Sequence, residues 1–218
     1  QIGNKCFSNC LALKKVTLQN SLTKSGESIF NGISKLEILG DIEMIPNNFL
    51  YMSESLHQIT IPSSVKTIGS KSFYRCLSLH SITIPPFVTS FKSFSFGSCS
   101  SLIEITIPST VQSIGNSTFY NCKALEKVTF EEPASIKSIG VNCFSMCGLL
   151  NISIPSSVTS IEEGAFKYCN NLEYVVIPNS VTSLAKNAFA LCSSLKRVTM
   201  PSSLKLEIVG QKVEIINT

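Results

Sequence analysis

The sequence predicts an α/β solenoid: about nine coils of ~23 residues, with a parallel sheet along one face. Short helical or 3-10 turns and extended segments are expected on the other face. Three observations carry this. Phe7, Phe30, Phe49, Phe73, Phe96, Phe119, Phe144, Phe166 and Phe189 recur at a nearly constant interval. Six residues after most of them stands a leucine: Leu13, Leu36, Leu79, Leu102, Leu125, Leu150, Leu172 and Leu195, with Leu56 one residue late. Pro62, Pro85, Pro108, Pro155, Pro178 and Pro201 punctuate the same period.

The unit Leu102-Ile-Glu-Ile105-Thr-Ile107-Pro108 shows how a coil is built. Ile-x-Ile alternates with period two and is β-branched, which reads as a short strand with one face buried. Proline then ends the strand, because it has no N–H to give to a ladder. Val111-x-x-Ile114-Gly115 crosses the outer side as a second extended segment. Phe119-x-x-Cys122-x-x-Leu125 has near-helical spacing and is expected to turn the chain back to the sheet.

The pattern is loosest over residues 19–48 and tight from Leu56 to Met200. Glu131-Glu132-Pro133 carries a two-residue insertion after Phe130, and Leu150-Asn151-Ile152 lacks one residue before its strand. The domain division expected is a solenoid over 1–203 and a capping β-hairpin over 204–218, turning at Val209-Gly210-Gln211. The hairpin would protect an edge otherwise open to pairing. Gln1 falls in mid-repeat, so a preceding segment is expected.

Composition narrows the function classes. Hydrophobic residues make up 44 % and mean hydropathy is +0.27, yet no apolar run reaches the length of a membrane span. The apolar residues are consumed by the ladders. A net charge of +4, dispersed along the chain, gives no basic patch for nucleic acid.

Units such as Ile154-Pro-Ser-Ser-Val158-Thr-Ser-Ile161-x-x-Gly-Ala-Phe166-x-x-Cys169-x-x-Leu172 resemble the BspA-like leucine-rich repeats, over residues 2–203. That family occurs on mucosal bacteria and on parasitic protists such as trichomonads and amoebae. The resemblance implies surface display, adhesion to host cells and binding of matrix proteins such as fibronectin. It specifies a fold closely and an activity weakly, because function on a repeat scaffold lies in its variable surface.

Seven of the nine cysteines (Cys10, Cys76, Cys99, Cys122, Cys147, Cys169, Cys192) stand three residues after the phenylalanine. Ile33 and Met52 fill that place elsewhere, so the slot reads as apolar and the thiols as reduced and buried. Cys6 and Cys143 share a small-residue position with Ala165 and Ala188. His57 and His80 should stack in adjacent coils with Glu37 next in the column, but three groups without further support make a poor metal site. No metal, cofactor or small-molecule substrate is expected. Thr17, Thr60, Thr83, Thr106, Thr129 and Thr199 form one column, explained by sheet propensity. The sequons are Asn116-Ser117-Thr118 and Asn151-Ile152-Ser153; Asn116, in an outer turn, is the glycosylation candidate. No phosphate loop, His-Glu-x-x-His or nucleophile–base pair is present, so no enzyme is expected.

What varies is the outward face of the sheet. Ile103, Glu104, Lys127, Tyr174, Val176, Lys196 and Arg197 are the predicted protein-binding residues. Apolar groups ringed by charges are how protein interfaces concentrate their energy. The function expected is a monomeric, non-enzymatic protein-binding module, an adhesin ectodomain at the cell surface. The alternative is an intracellular interaction scaffold, which suits so many free thiols. An ice- or glycan-binding solenoid is a third class, which predicts no protein partner.

Overall fold

The computed structural model describes residues 2–19, 22, 25–206 and 213–218. The chain winds into a parallel β-solenoid of about eight turns. The front face carries Lys15–Thr17, Lys35–Leu39, Gln58–Thr60, Glu104–Ile107, Lys127–Phe130, Asn151–Ser153, Tyr174–Val176 and Arg197–Met200. The back carries two-residue strands: Met44–Ile45, Thr67–Ile68, Ser90–Phe91, Ser113–Ile114, Ser138–Ile139, Ser160–Ile161 and Ser183–Leu184. Every strand pair is parallel, as coils of one hand require.

The α component of the expected fold is absent: the described residues contain no helix. The Phe-x-x-Cys turn closes with bonds of the i+3 to i kind, such as Cys76 N–H to Phe73 O at 3.2 Å. Left-handed residues stop it from propagating. Asn121 (φ 60°), two residues after Phe119, and Ser117 (φ 57°), two before it, bracket the turn, and most coils repeat this. That conformation costs a non-glycine residue roughly 1–2 kcal/mol. The cost is offset between coils, because both amides then point along the stack. Ser117 N–H donates to Val141 O at 2.8 Å and Asn121 N–H to Ser145 O at 2.8 Å. The turn side is therefore a backbone ladder, and the near-helical spacing reflected packing alone.

The interior is a file of aromatic rings. Phe96, Phe119, Phe144, Phe166 and Phe189 stack with centroids 5.0–5.5 Å apart and planes within 10°. Two ladder positions differ from the sequence reading. Leu50, not Phe49, holds the column position in its coil, since Leu50 N–H bonds Ser72 O just as Phe73 N–H bonds Ser95 O. Ser53, not Met52, then takes the cysteine place, and Leu56 is on time. Further on, the missing residue lies before the leucine, so Leu149 is buried and Leu150 is 46 % exposed.

The front sheet is discontinuous. Lys35–Leu39 pairs Glu37 with Lys15 but Lys35 with Gln58, a two-residue slip within one coil. No strand forms over 81–85, and the sheet breaks again at the Glu131-Glu132-Pro133 insertion. At the C-terminus the turn of the expected hairpin lies outside the described residues. Glu214–Asn217 pairs in parallel with Arg197–Met200, and 204–206 form no strand, so the sheet gains a further parallel rung there.

Six ladder thiols do more than fill space. Cys99, Cys122, Cys147, Cys169 and Cys192 Sγ each donate to the carbonyl of the preceding coil's phenylalanine at 3.0–3.1 Å, and Cys76 to Leu50 O at 3.3 Å. Ile33, which holds the same place in its coil, has no donor for such a bond. Cys10 and Cys6 are exposed, contrary to expectation, because no described coil covers the first one. Thiol titration of the native protein is thus expected to show two reactive cysteines, with the other seven appearing on denaturation. Seven fast thiols, or an intact mass lacking several hydrogens, would contradict the buried, reduced column.

Burial raises the Cys99, Cys143, Cys147 and Cys169 thiols far above their usual range and pushes Cys192 up to about 11. The folded state holds protons that the unfolded chain releases, so stability falls as pH climbs past the unfolded thiol value of 9.0. Urea midpoints should be flat below pH 8 and drop steeply between roughly pH 9 and 11. An unchanged midpoint across that window would show the thiols are not sequestered.

Candidate protein-binding face

All seven predicted residues lie on the exposed side of the front sheet, in two blocks. Ile103 immediately precedes the Glu104–Ile107 strand, and Lys127 lies opposite Glu104 in register. One rung further Asn151 separates this block from Tyr174, which in turn lies opposite Arg197. Alternation places Val175 inside, 1 % exposed, and leaves Tyr174 and Val176 outside at 46 % and 54 %. Leu150, one coil earlier, joins them. The structure thus adds an apolar residue that the sequence reading placed in the core.

Charges frame this patch. Lys196 Nζ sits 5.9 Å from the Tyr174 ring centroid and pairs with Glu173 at 2.7 Å. Arg197 Nε pairs with Glu214 at 2.7 Å. These hydrogen bonds raise both cations' pKa further, so each stays charged at any physiological pH. Two carboxylates already answer the two cations, which leaves Tyr174 as the least committed group and the natural anchor. Its ring has a cation above it and polar neighbours on both rungs.

The histidine column is partly formed. The His57 and His80 rings stack 6.1 Å apart, but Glu37 is elsewhere, paired with Lys15 at 2.9 Å. The pairing of Lys35 with Gln58 and of Glu37 with Thr60 puts Ser34, whose carbonyl accepts the His57 amide, where Glu37 was expected. No cluster of three metal-ligating side chains forms among the described residues. Asn116 is exposed in its outer turn, while the Thr118 hydroxyl of the same sequon is buried and donates to Gly115 O. Asn151 lies opposite Tyr174 on the sheet.

The profile of the BspA type leucine rich repeat region matches in six copies, over residues 1–103, 43–172 and 89–212. The chain belongs to the BspA-type leucine-rich repeat family. No protein of curated function matches it. Solved structures share its fold. A leucine rich cell surface protein of Faecalibacterium prausnitzii is 22 % identical, with a TM-score of 0.54, over 97 % of this chain and 80 % of that one. A leucine-rich repeat protein of T. pallidum is 23 % identical, TM-score 0.51, over 89 % and 70 %. The pneumococcal vaccine antigen PcpA is 18 % identical, TM-score 0.53, over 95 % and 63 %. At these identities the BspA-type coil is shared and the surface is not, so the fold alone carries over. No helix among the described residues is long and apolar enough to cross a membrane.

Proposed function

We propose that this BspA-type repeat is a non-enzymatic protein-binding module displayed at the cell surface, where it adheres to host cells or to a matrix protein such as fibronectin. The observation that carries the reading is the Leu150, Tyr174 and Val176 patch. A solenoid face needs no exposed apolar groups for its own stability, and here Tyr174 and Val176 face outward on one strand beside Lys196 and Arg197, with Leu150 exposed one coil back, opposite Glu173. The face is broad and open, which suits a folded partner better than a small molecule. A glycan on Asn116 would leave this face clear, whereas one on Asn151 would cover Tyr174. The F. prausnitzii protein with the same fold is likewise a cell surface protein.

A second reading, an intracellular scaffold, is favoured by the nine free cysteines. Binding of the purified protein to immobilised fibronectin and to epithelial monolayers, alongside antibody labelling of intact source cells, separates the two. Saturable binding with surface labelling supports the adhesin. No binding and labelling only after permeabilisation favours the scaffold.

A further inference from the structure

The coil spanning 79–101 departs from its neighbours in three ways at once. First, its front segment forms no strand, and Ser81, Ile82 and Thr83 make no backbone hydrogen bond to either adjacent coil. The Gln58–Thr60 and Glu104–Ile107 strands are therefore each paired on one side only. Clefts of about 400 and 390 Å³ flank the segment, the first lined by Gln58, Thr60, Ser63, Ser81, Thr83 and Pro86. Second, Phe87, just after Pro85-Pro86, stands 62 % exposed, where the equivalent places hold Ser64 and Thr110. Third, Phe87 borders a further hollow of about 490 Å³ with Asp41, Glu43, Ser63 and Lys66. Ser63 lines both this hollow and the first cleft, so one groove runs from the sheet over the rim.

The chemistry of the groove selects its occupant. Residues 81–83 line both clefts, where polar groups of an occupant can meet their unpaired amides and carbonyls. An exposed phenylalanine is an apolar anchor. At the far end two carboxylates face one ammonium. Glu43 is engaged by Lys66 at 2.6 Å, and Asp41 makes no ion pair among the described residues. We propose that this rim groove is a second docking site, which takes a peptide segment of a protein partner, with an apolar side chain on Phe87, a lysine or arginine at Asp41 and polar groups in the cleft at residues 81–83. It is independent of the Tyr174 face.

Selection from a phage library of random short peptides against the whole chain tests this. The peptides recovered should carry an apolar residue close to a lysine or arginine. Made synthetically, they should lose about tenfold in affinity to Phe87→Ser and more to Asp41→Lys. Tyr174→Ala should leave binding unchanged. Phe87→Ser keeps the fold, since serine and threonine already occupy the equivalent places, and an unchanged urea midpoint checks it. Recovery of no peptide, of peptides without a basic residue, or of peptides indifferent to Phe87→Ser and Asp41→Lys would overturn the proposal.

Discussion

Phe166→Ala is expected to cost about 3–5 kcal/mol of folding stability, the largest single effect in the molecule. Phe166 is fully buried and its ring stacks on Phe144 at 5.5 Å and on Phe189 at 5.0 Å. Truncation therefore removes two ring contacts as well as the area buried. The cavity cannot close by collapse. On either side the coils are spaced by backbone bonds, Phe144 N–H to Ala165 O at 2.8 Å and Phe166 N–H to Ala188 O at 2.8 Å. Those spacings are fixed by peptide geometry and do not shrink when a side chain is lost. The Cys192 thiol, which donates to Phe166 O at 3.0 Å, also loses the ring that screens it from water. Urea unfolding followed by far-ultraviolet circular dichroism measures the loss. A loss below about 1 kcal/mol would mean that the ring file is not the continuous core of the stack.

The architecture was legible because a solenoid writes its period into the sequence. Phenylalanine, cysteine, leucine and proline each mark one place in a coil, and the ladders fall where those columns are intact. The reading slipped where two residues compete for one place. At Phe49-Leu50 both are buried, and only the backbone bond to Ser72 O assigns the column to Leu50. At Leu149-Leu150 the missing residue shifts the core position by one, and alternation then turns Leu150 outward. Counting back from Pro155 would have shown it, because Leu102 and Leu172 stand six residues before Pro108 and Pro178, as Leu149 does before Pro155. The turn was misjudged because periodicity reports which side chains face inward and is blind to the sign of φ. Non-glycine residues such as Arg75, Met146 and Leu191 carry the left-handed conformation with no compositional signal. Phe87 was missed for another reason. It breaks a column of small polar residues, a signal visible only when outward places are compared coil by coil as closely as inward ones.

Tyr174→Ala is expected to weaken binding to the matrix or host-cell partner by about 2 kcal/mol, roughly thirtyfold, while leaving folding within about 0.5 kcal/mol of wild type. The asymmetry follows from alternation. Val175 faces the core and Tyr174 faces solvent, so the tyrosine contributes area to a partner and little to the fold. Held by the strand backbone and by Lys196 above its ring, it also loses little freedom on docking. Arg197→Glu acts differently. It replaces a cation paired with Glu214 by a like charge directly opposite that carboxylate in register, and it reverses the sign of the rim beside Tyr174. A rim charge governs encounter more than residence, so this variant should slow association and blunt its salt dependence, whereas Tyr174→Ala should speed dissociation. Surface plasmon resonance against fibronectin, at two ionic strengths, resolves the two. The combined variant should abolish binding to fibronectin and to cell monolayers. Retained binding in the combined variant, with folding intact, would remove the Tyr174 face from the function and leave the rim groove at Phe87 as the surface to test.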